Sequence, residues 1–172
     1  YRAEGSVDLK AFKYVKDGIA IEKDQFEFKA KQVAILDNEK MKDDVKKDTF
    51  EFNNLSKYEY VESDEVKNNN EVKKSSEDDS ENDENSFAAS GYSDKDGQVD
   101  LSTINYNQYD AGKTFVYDVY EVDNSKNDDN VVFDKNTIRY FIRVDDFGTG
   151  SLNVWTEFNT RYILDKDLEK AK

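Results

Sequence analysis

Residues 115–121 read Phe115-Val-Tyr117-Asp-Val119-Tyr-Glu121, and this stretch decides the fold. Phe115, Tyr117 and Val119 recur at period two, and Glu121 follows on the same face. Period two is the signature of a β-strand, whose successive side chains point to opposite sides. Aromatic and β-branched residues also suit a pleated surface better than a helix. The same alternation returns on both sides of this stretch. Val7, Leu9, Ala11, Lys13 and Val15 share one face of a first strand, with Asp8, Lys10, Phe12 and Tyr14 on the other. Phe26, Phe28 and Ala30 alternate with charged residues. Ile138, Tyr140, Ile142 and Val144 alternate with Thr137, Arg139, Phe141 and Arg143, and Leu152, Val154, Thr156 and Phe158 form a last set. Turn signals separate these runs at Asp17-Gly18, Asp96-Gly97, Ala111-Gly112, residues 123–130 and Phe147-Gly148-Thr-Gly150. Short alternating strands between polar turns predict an all-β antiparallel sandwich or barrel.

Composition narrows the function classes. The chain has 172 residues, with 25 Lys and Arg against 39 Asp and Glu, a net charge of −14. That surplus argues against nucleic acid, which needs clustered Lys and Arg. With no Cys and no His, disulfides, thiol nucleophiles, Cys/His zinc sites and a Ser-His-Asp triad are excluded. No run reaches the apolar length of a membrane span, so no membrane insertion by this segment is expected. The sequence opens at Tyr1 without Met and reads as a mature or excised segment.

One region breaks the alternation. Residues 62–86 carry ten acidic residues and three lysines, and their only sizeable apolar groups are Val66 and Val72. Such a stretch buries too little surface to offset its ordering entropy. Residues 37–97 are therefore expected as a long acidic insertion between two strands. Its most solvated part is 62–86, and the flank 38–61 touches the body through Phe50, Phe52, Leu55, Tyr58 and Tyr60. Residues 1–165 then form a single sandwich domain, and 166–172 a linker or tail.

Two ionisable residues fall on apolar faces. Lys13 shares the face of Leu9 and Ala11, and Glu121 follows Val119. A lysine facing a core is costly unless neutral or paired. The alternative is a strand-end lysine reaching water, and for Glu121 an exposed strand end before a polar loop. Two inward ionisable groups on separate strands raise the expectation that they are partners.

The run Val7-Asp-Leu-Lys-Ala-Phe-Lys13-Tyr-Val-Lys-Asp-Gly18, followed by Gln25-Phe-Glu-Phe28, resembles the opening of streptococcal-type pilin isopeptide-linkage domains. The likeness continues in order through Asp96-Gly97-Gln-Val99, Ile104-Asn-Tyr106, Ala111-Gly112-Lys-Thr-Phe115-Val-Tyr117-Asp-Val-Tyr-Glu121, Val132-Phe-Asp134 and Gly148-Thr-Gly150-Ser-Leu152. It covers roughly residues 6–36 and 96–158, and the acidic insertion is not part of it. The resemblance implies an immunoglobulin-like (CnaB-type) sandwich. It also implies a self-formed covalent bond, in which a buried lysine amine attacks a side-chain carboxamide on the last strand while a neighbouring Glu moves the protons. By position, Lys13 is the nucleophile and Glu121 the catalytic carboxyl. Burial disfavours the charged form of an amine or a carboxyl, which suits one to attack and the other to carry protons. Strand pairing makes the step effectively unimolecular.

The acceptor is left with alternatives. The family's last strand has the form Phe-x-Asn-x-Tyr, whereas here Asn159 follows Phe158 directly, one place out of register, and a one-residue slip reverses the face. The second candidate is Asp165, at the end of Arg161-Tyr-Ile163-Leu-Asp165, reached by a tight turn at Asn159-Thr160. There water would leave in place of ammonia. A third option is a last strand supplied by a neighbouring subunit. No sortase-type Leu-Pro-x-Thr-Gly signal is present, because the chain has no Pro.

Asp123, Ser125, Asn127, Asp129 and Asp134 have part of the spacing of a calcium loop. They lack its sixth-position Gly and twelfth-position Glu, so a solvated loop is the favoured reading. No cofactor is expected. The expected function is a non-enzymatic structural module of a Gram-positive-type cell-surface pilus, filament or adhesin stalk, extracellular, with neighbouring copies or domains of the same surface protein as partners. The rival expectations are a host-ligand-binding adhesin that uses 37–97 and a calcium-stabilised β-sandwich.

Overall fold

The computed structural model describes residues 1–62, 86–123 and 136–163. Among these, five antiparallel strands form the main sheet in the order β4-β3-β7-β8-β9: β3 Glu27–Asp37, β4 Ala89–Tyr92, β7 Lys113–Glu121, β8 Asn136–Asp145 and β9 Asn153–Ile163. Two antiparallel ribbons form the second layer, β1 (Glu4–Val7) with β6 (Ile104–Asn107) and β2 (Lys10–Phe12) with β5 (Gln98–Asp100). The fold is thus mostly β, with antiparallel sheets in two layers.

The core between the layers follows from the alternation. Leu9, Ala11, Val99 and Tyr106 from the ribbons pack with Phe28, Phe115, Tyr117, Val119 and Ile142 from the sheet. Phe12 and Tyr14, of opposite parity, are exposed. Tyr106 and Tyr117 bring their hydroxyls to 2.6 Å inside this core, so each buried polar tip has a partner.

β7 is buried on both faces, which its own alternation does not predict. Leu36, Val116 and Phe141 point away from the ribbons into a second core with Met41 and Tyr58. That outer face is covered by α1, Asn38–Lys46, and by a 3₁₀ turn at Leu55–Tyr58. The Asp37 side chain caps α1 by accepting from the Glu39 N–H. Met41 and Val45, four residues apart, lie on one side of the helix and meet this core. Residues 37–97, expected as one insertion, therefore begin with a helix packed on the sheet. Near their other end they contribute β4, which pairs with β3 through Phe28↔Gly91 and Ala30↔Ala89.

β9 departs from the expected pattern at Glu157. Ile142 pairs with Thr156, but Phe141 pairs with Phe158, so one residue bulges out. Leu152 and Val154 stay with the inner core, whereas Phe158 turns to the outer face and stacks on Phe50 at 5.2 Å. The four residues expected on one face are thereby split. The expected turn at Asn159-Thr160 is absent as well: both residues lie inside β9, which runs unbroken to Ile163.

Candidate functional site

The chain path gives the sheet two poles. At the first, Asp37 pairs with Lys113, and Asp145 with Asn153. At the second, Phe28 pairs with Glu121, and Asn136 with Ile163. Glu4 of β1 makes a parallel bridge to Ser151, and the Leu152 N–H donates to the Glu4 carbonyl at 2.9 Å. The opening strands and β9 therefore run the same way, from the first pole to the second.

Lys13 and Glu121 meet at the second pole. Lys13 directly follows β2, and Glu121 is the last residue of β7. The Lys13 Nζ lies 2.6 Å from a Glu121 carboxylate oxygen, and the two residues are 1% and 2% exposed. The Phe26 ring closes the site, its centroid 4.6 Å from Nζ. Phe26 is itself pinned: its N–H donates to Ser93 Oγ at 3.2 Å, and its carbonyl accepts from the Ser93 N–H at 2.9 Å. The Lys13 backbone is held by the Asp96-Gly97 turn, where its N–H donates to the Gly97 carbonyl at 2.7 Å. Gly97 has φ +86°, and a Cβ there would strike the Lys13 carbonyl oxygen. Only glycine meets both demands at little cost.

Taking an amine and a carboxylate out of water together costs several kcal/mol per ion, repaid only by close geometry. The chemistry available is that of a dry amine beside a carboxyl group. The amine is a nucleophile once deprotonated, and the carboxyl is placed to take up and return that proton.

The other predicted residues are placed as follows. Asn159 pairs with Tyr140, whose partner on β7 is Tyr117. The bulge thus returns it to the side of the inner-core residue Tyr140, yet it stands four residues along β7 from Glu121, about 13 Å. It is also exposed. The structure does not bring it to the Lys13–Glu121 pair. Asp165 lies outside the described residues, as do Ser125, Asn127, Asp129 and Asp134 and the tail 166–172. Asp123 is exposed just beyond the end of β7. Among the described residues, no group of three Asp or Glu is placed to hold a metal ion, and no helix is long and apolar enough to cross a membrane.

Sequence reading missed the parts that frame the pair. Phe26 was legible as core but not as its cover. Gly97 was legible as a turn but not as the contact that sets Lys13. Ser93 carried no signal. No family model, curated protein or solved structure matches the chain.

Proposed function

We propose that this chain is a structural stalk module of a Gram-positive-type cell-surface pilus, filament or adhesin. In this reading it is an immunoglobulin-like domain of the isopeptide-linkage type, closed by a covalent bond from Lys13. The observation that carries the reading is the water-excluded Lys13–Glu121 pair at 2.6 Å. Such a pair is an expensive way to gain stability alone but a fitting arrangement for amide formation. The Lys13 amine attacks the side-chain carbonyl carbon of an acceptor, and Glu121 takes the amine proton and returns it to the leaving group. Ammonia leaves if the acceptor is Asn159, and water leaves if it is Asp165.

The strand register favours the later acceptor. Ile163, paired with Asn136, stands nearest the level of Glu121 on β9, and Asp165 follows two positions on. The parallel run of the opening strands and β9 supports the stalk role. Tension applied at the start of β1 and at the end of β9 would enter at opposite poles, and a bond from Lys13 to a residue following β9 would carry it past the sheet.

The test is the intact mass of the folded full chain beside Glu121→Ala. Loss of one water, abolished in the variant and mapped to Lys13, is the expected result. Loss of ammonia moves the acceptor to Asn159. An unchanged mass overturns the internal bond.

A further inference from the structure

The ring that closes the Lys13–Glu121 site is set by an exchange of hydrogen-bond partners at Ser93. β3 and β4 pair with Glu27 opposite Tyr92, so the next pair outward is Phe26 with Ser93. The Ser93 N–H donates to the Phe26 carbonyl at 2.9 Å. In a hydrogen-bonded antiparallel pair the return bond runs from the Phe26 N–H to the Ser93 carbonyl. Here the Phe26 N–H donates to Ser93 Oγ at 3.2 Å instead, and the Ser93 carbonyl accepts from the Asp24 N–H at 2.9 Å. The hydroxyl takes over a ladder position and releases the carbonyl to a second partner.

That second partner fixes the turn that delivers Phe26. Asp24 has φ +62°, a left-handed conformation that a residue with a side chain holds only where its surroundings impose it. The turn is closed by the Gln25 N–H donating to the Glu22 carbonyl at 3.2 Å and by the Glu22 N–H donating to Gln25 Oε1 at 2.9 Å. The bond from Asp24 to Ser93 anchors it to the residue that follows β4. On its other side Ser93 bridges to Val99, beyond the Asp96-Gly97 turn whose Gly97 carbonyl accepts from the Lys13 N–H. One residue therefore ties the ring over the amine to the turn that holds the amine's backbone. Ser93 is fully buried, so an alanine there would leave the Phe26 N–H without its acceptor in a dry site, a cost that the segment escapes only by moving.

We infer that Ser93 is a positioning residue of the Lys13 site: its hydroxyl seats the Phe26 ring over the amine and keeps water from the Lys13–Glu121 pair. The inference rests on the bond-forming reading for the reaction that a dry amine serves. The seating itself does not need the bond, so an unchanged intact mass would leave it standing, and a Ser93 without effect on Lys13 would leave the bond standing.

The experiment is a brief pulse of acetic anhydride on the folded full chain, at low total labelling, with Lys13 read by peptide mapping. It is run on the wild type, on Ser93→Ala, on Ser93→Thr, which keeps the hydroxyl, and on Phe50→Ala, which loosens the other core. Thermal melts check that each chain is folded. In the wild type Lys13 is expected to escape acetylation, whether its amine is free or cross-linked. In Ser93→Ala the acetylated fraction of Lys13 should rise about tenfold or more, the mark of a local opening. Ser93→Thr and Phe50→Ala should keep the wild-type protection. A Ser93 that only adds stability would lower the melting temperature and leave Lys13 as protected as in Phe50→Ala. Should Ser93→Ala fail to fold, Phe26→Leu, which thins the cover and keeps the backbone bonds, is read in the same way and should expose Lys13. Acetylation of Lys13 in the wild type or in Ser93→Thr, equal labelling in Phe50→Ala, or a Lys13 that stays protected or fully cross-linked in the exposing variant would each overturn the inference.

Discussion

Lys13 Nζ and a Glu121 carboxylate oxygen lie 2.6 Å apart, with side chains 0% and 1% exposed. Removing either takes a close partner from the other in a dry site. Relative to the chain with Lys13 unreacted, Glu121→Leu and Lys13→Met are each expected to cost about 3–5 kcal/mol, the usual penalty for breaking a buried pair. The double variant has no bond to form and no buried charge to strand, so it should be more stable than either single variant. Urea denaturation of the three chains decides the point without reference to whether the wild type is cross-linked. A double variant less stable than both singles would show that the two side chains do not depend on each other.

Gly97 makes a second prediction, because its conformation and its contact can be separated. Gly18 has nearly the same φ, +87° against +86°, but nothing stands within 4 Å of its missing Cβ. Gly18→Ala should therefore carry only the left-handed penalty of about 1–2 kcal/mol. Gly97→Ala adds a collision with the Lys13 carbonyl oxygen and should lower the melting temperature by clearly more. It should also slow any bond formation at Lys13, read as residual unreacted mass. Equal melting losses in the two variants would remove the Gly97–Lys13 contact from the account.

The inner layer was legible because period two is a local property. The alternation that sets Lys13 with Leu9 and Ala11 needs no partner to be read, and all three are buried. The outer layer was not legible. α1 has only Met41 and Val45 as an apolar stripe, in a segment dense with Lys and Asp, and such a helix forms because the sheet offers Val116 and Phe141 to pack on. The Glu157 bulge was hidden for a similar reason. It places Phe158 against Phe50, a contact across more than 100 residues, and nothing within residues 152–158 calls for it.

That outer layer should open separately from the sheet. Phe50 lies 4.6 Å from Tyr58, 5.2 Å from Phe158 and 5.7 Å from Phe141, centroid to centroid. Phe50→Ala removes the ring that joins the segment after α1 to β8 and β9. Amide exchange in Asn38–Lys46 should then accelerate about tenfold or more, the kinetic reading of about 1.4 kcal/mol of local stability. Amides of β7 should keep their protection. Equal acceleration in both would mean that the layers unfold as one unit.

Acid should act first on the same layer, and the sign follows from Asp44. The Tyr58 hydroxyl donates to Asp44 Oδ2 at 2.6 Å, Lys57 Nζ lies 3.1 Å away, and Thr49 Oγ1 donates at 3.0 Å. The Tyr58 hydrogen bond first, then those from Lys57 and Thr49, hold the Asp44 carboxyl down at about 2, against an ordinary value near 3.8. A carboxyl whose folded value lies below its unfolded one adds stability above the unfolded value, and that contribution fades as pH falls through the folded one. The link from α1 to Tyr58 should therefore hold above about pH 4 and weaken progressively toward pH 2. Tyrosine near-ultraviolet dichroism across that range should report the loosening, and Asp44→Asn should flatten the response at pH 2–4 while leaving the rest of the acid titration in place. An unaltered response in the variant would assign the acid sensitivity to other carboxylates.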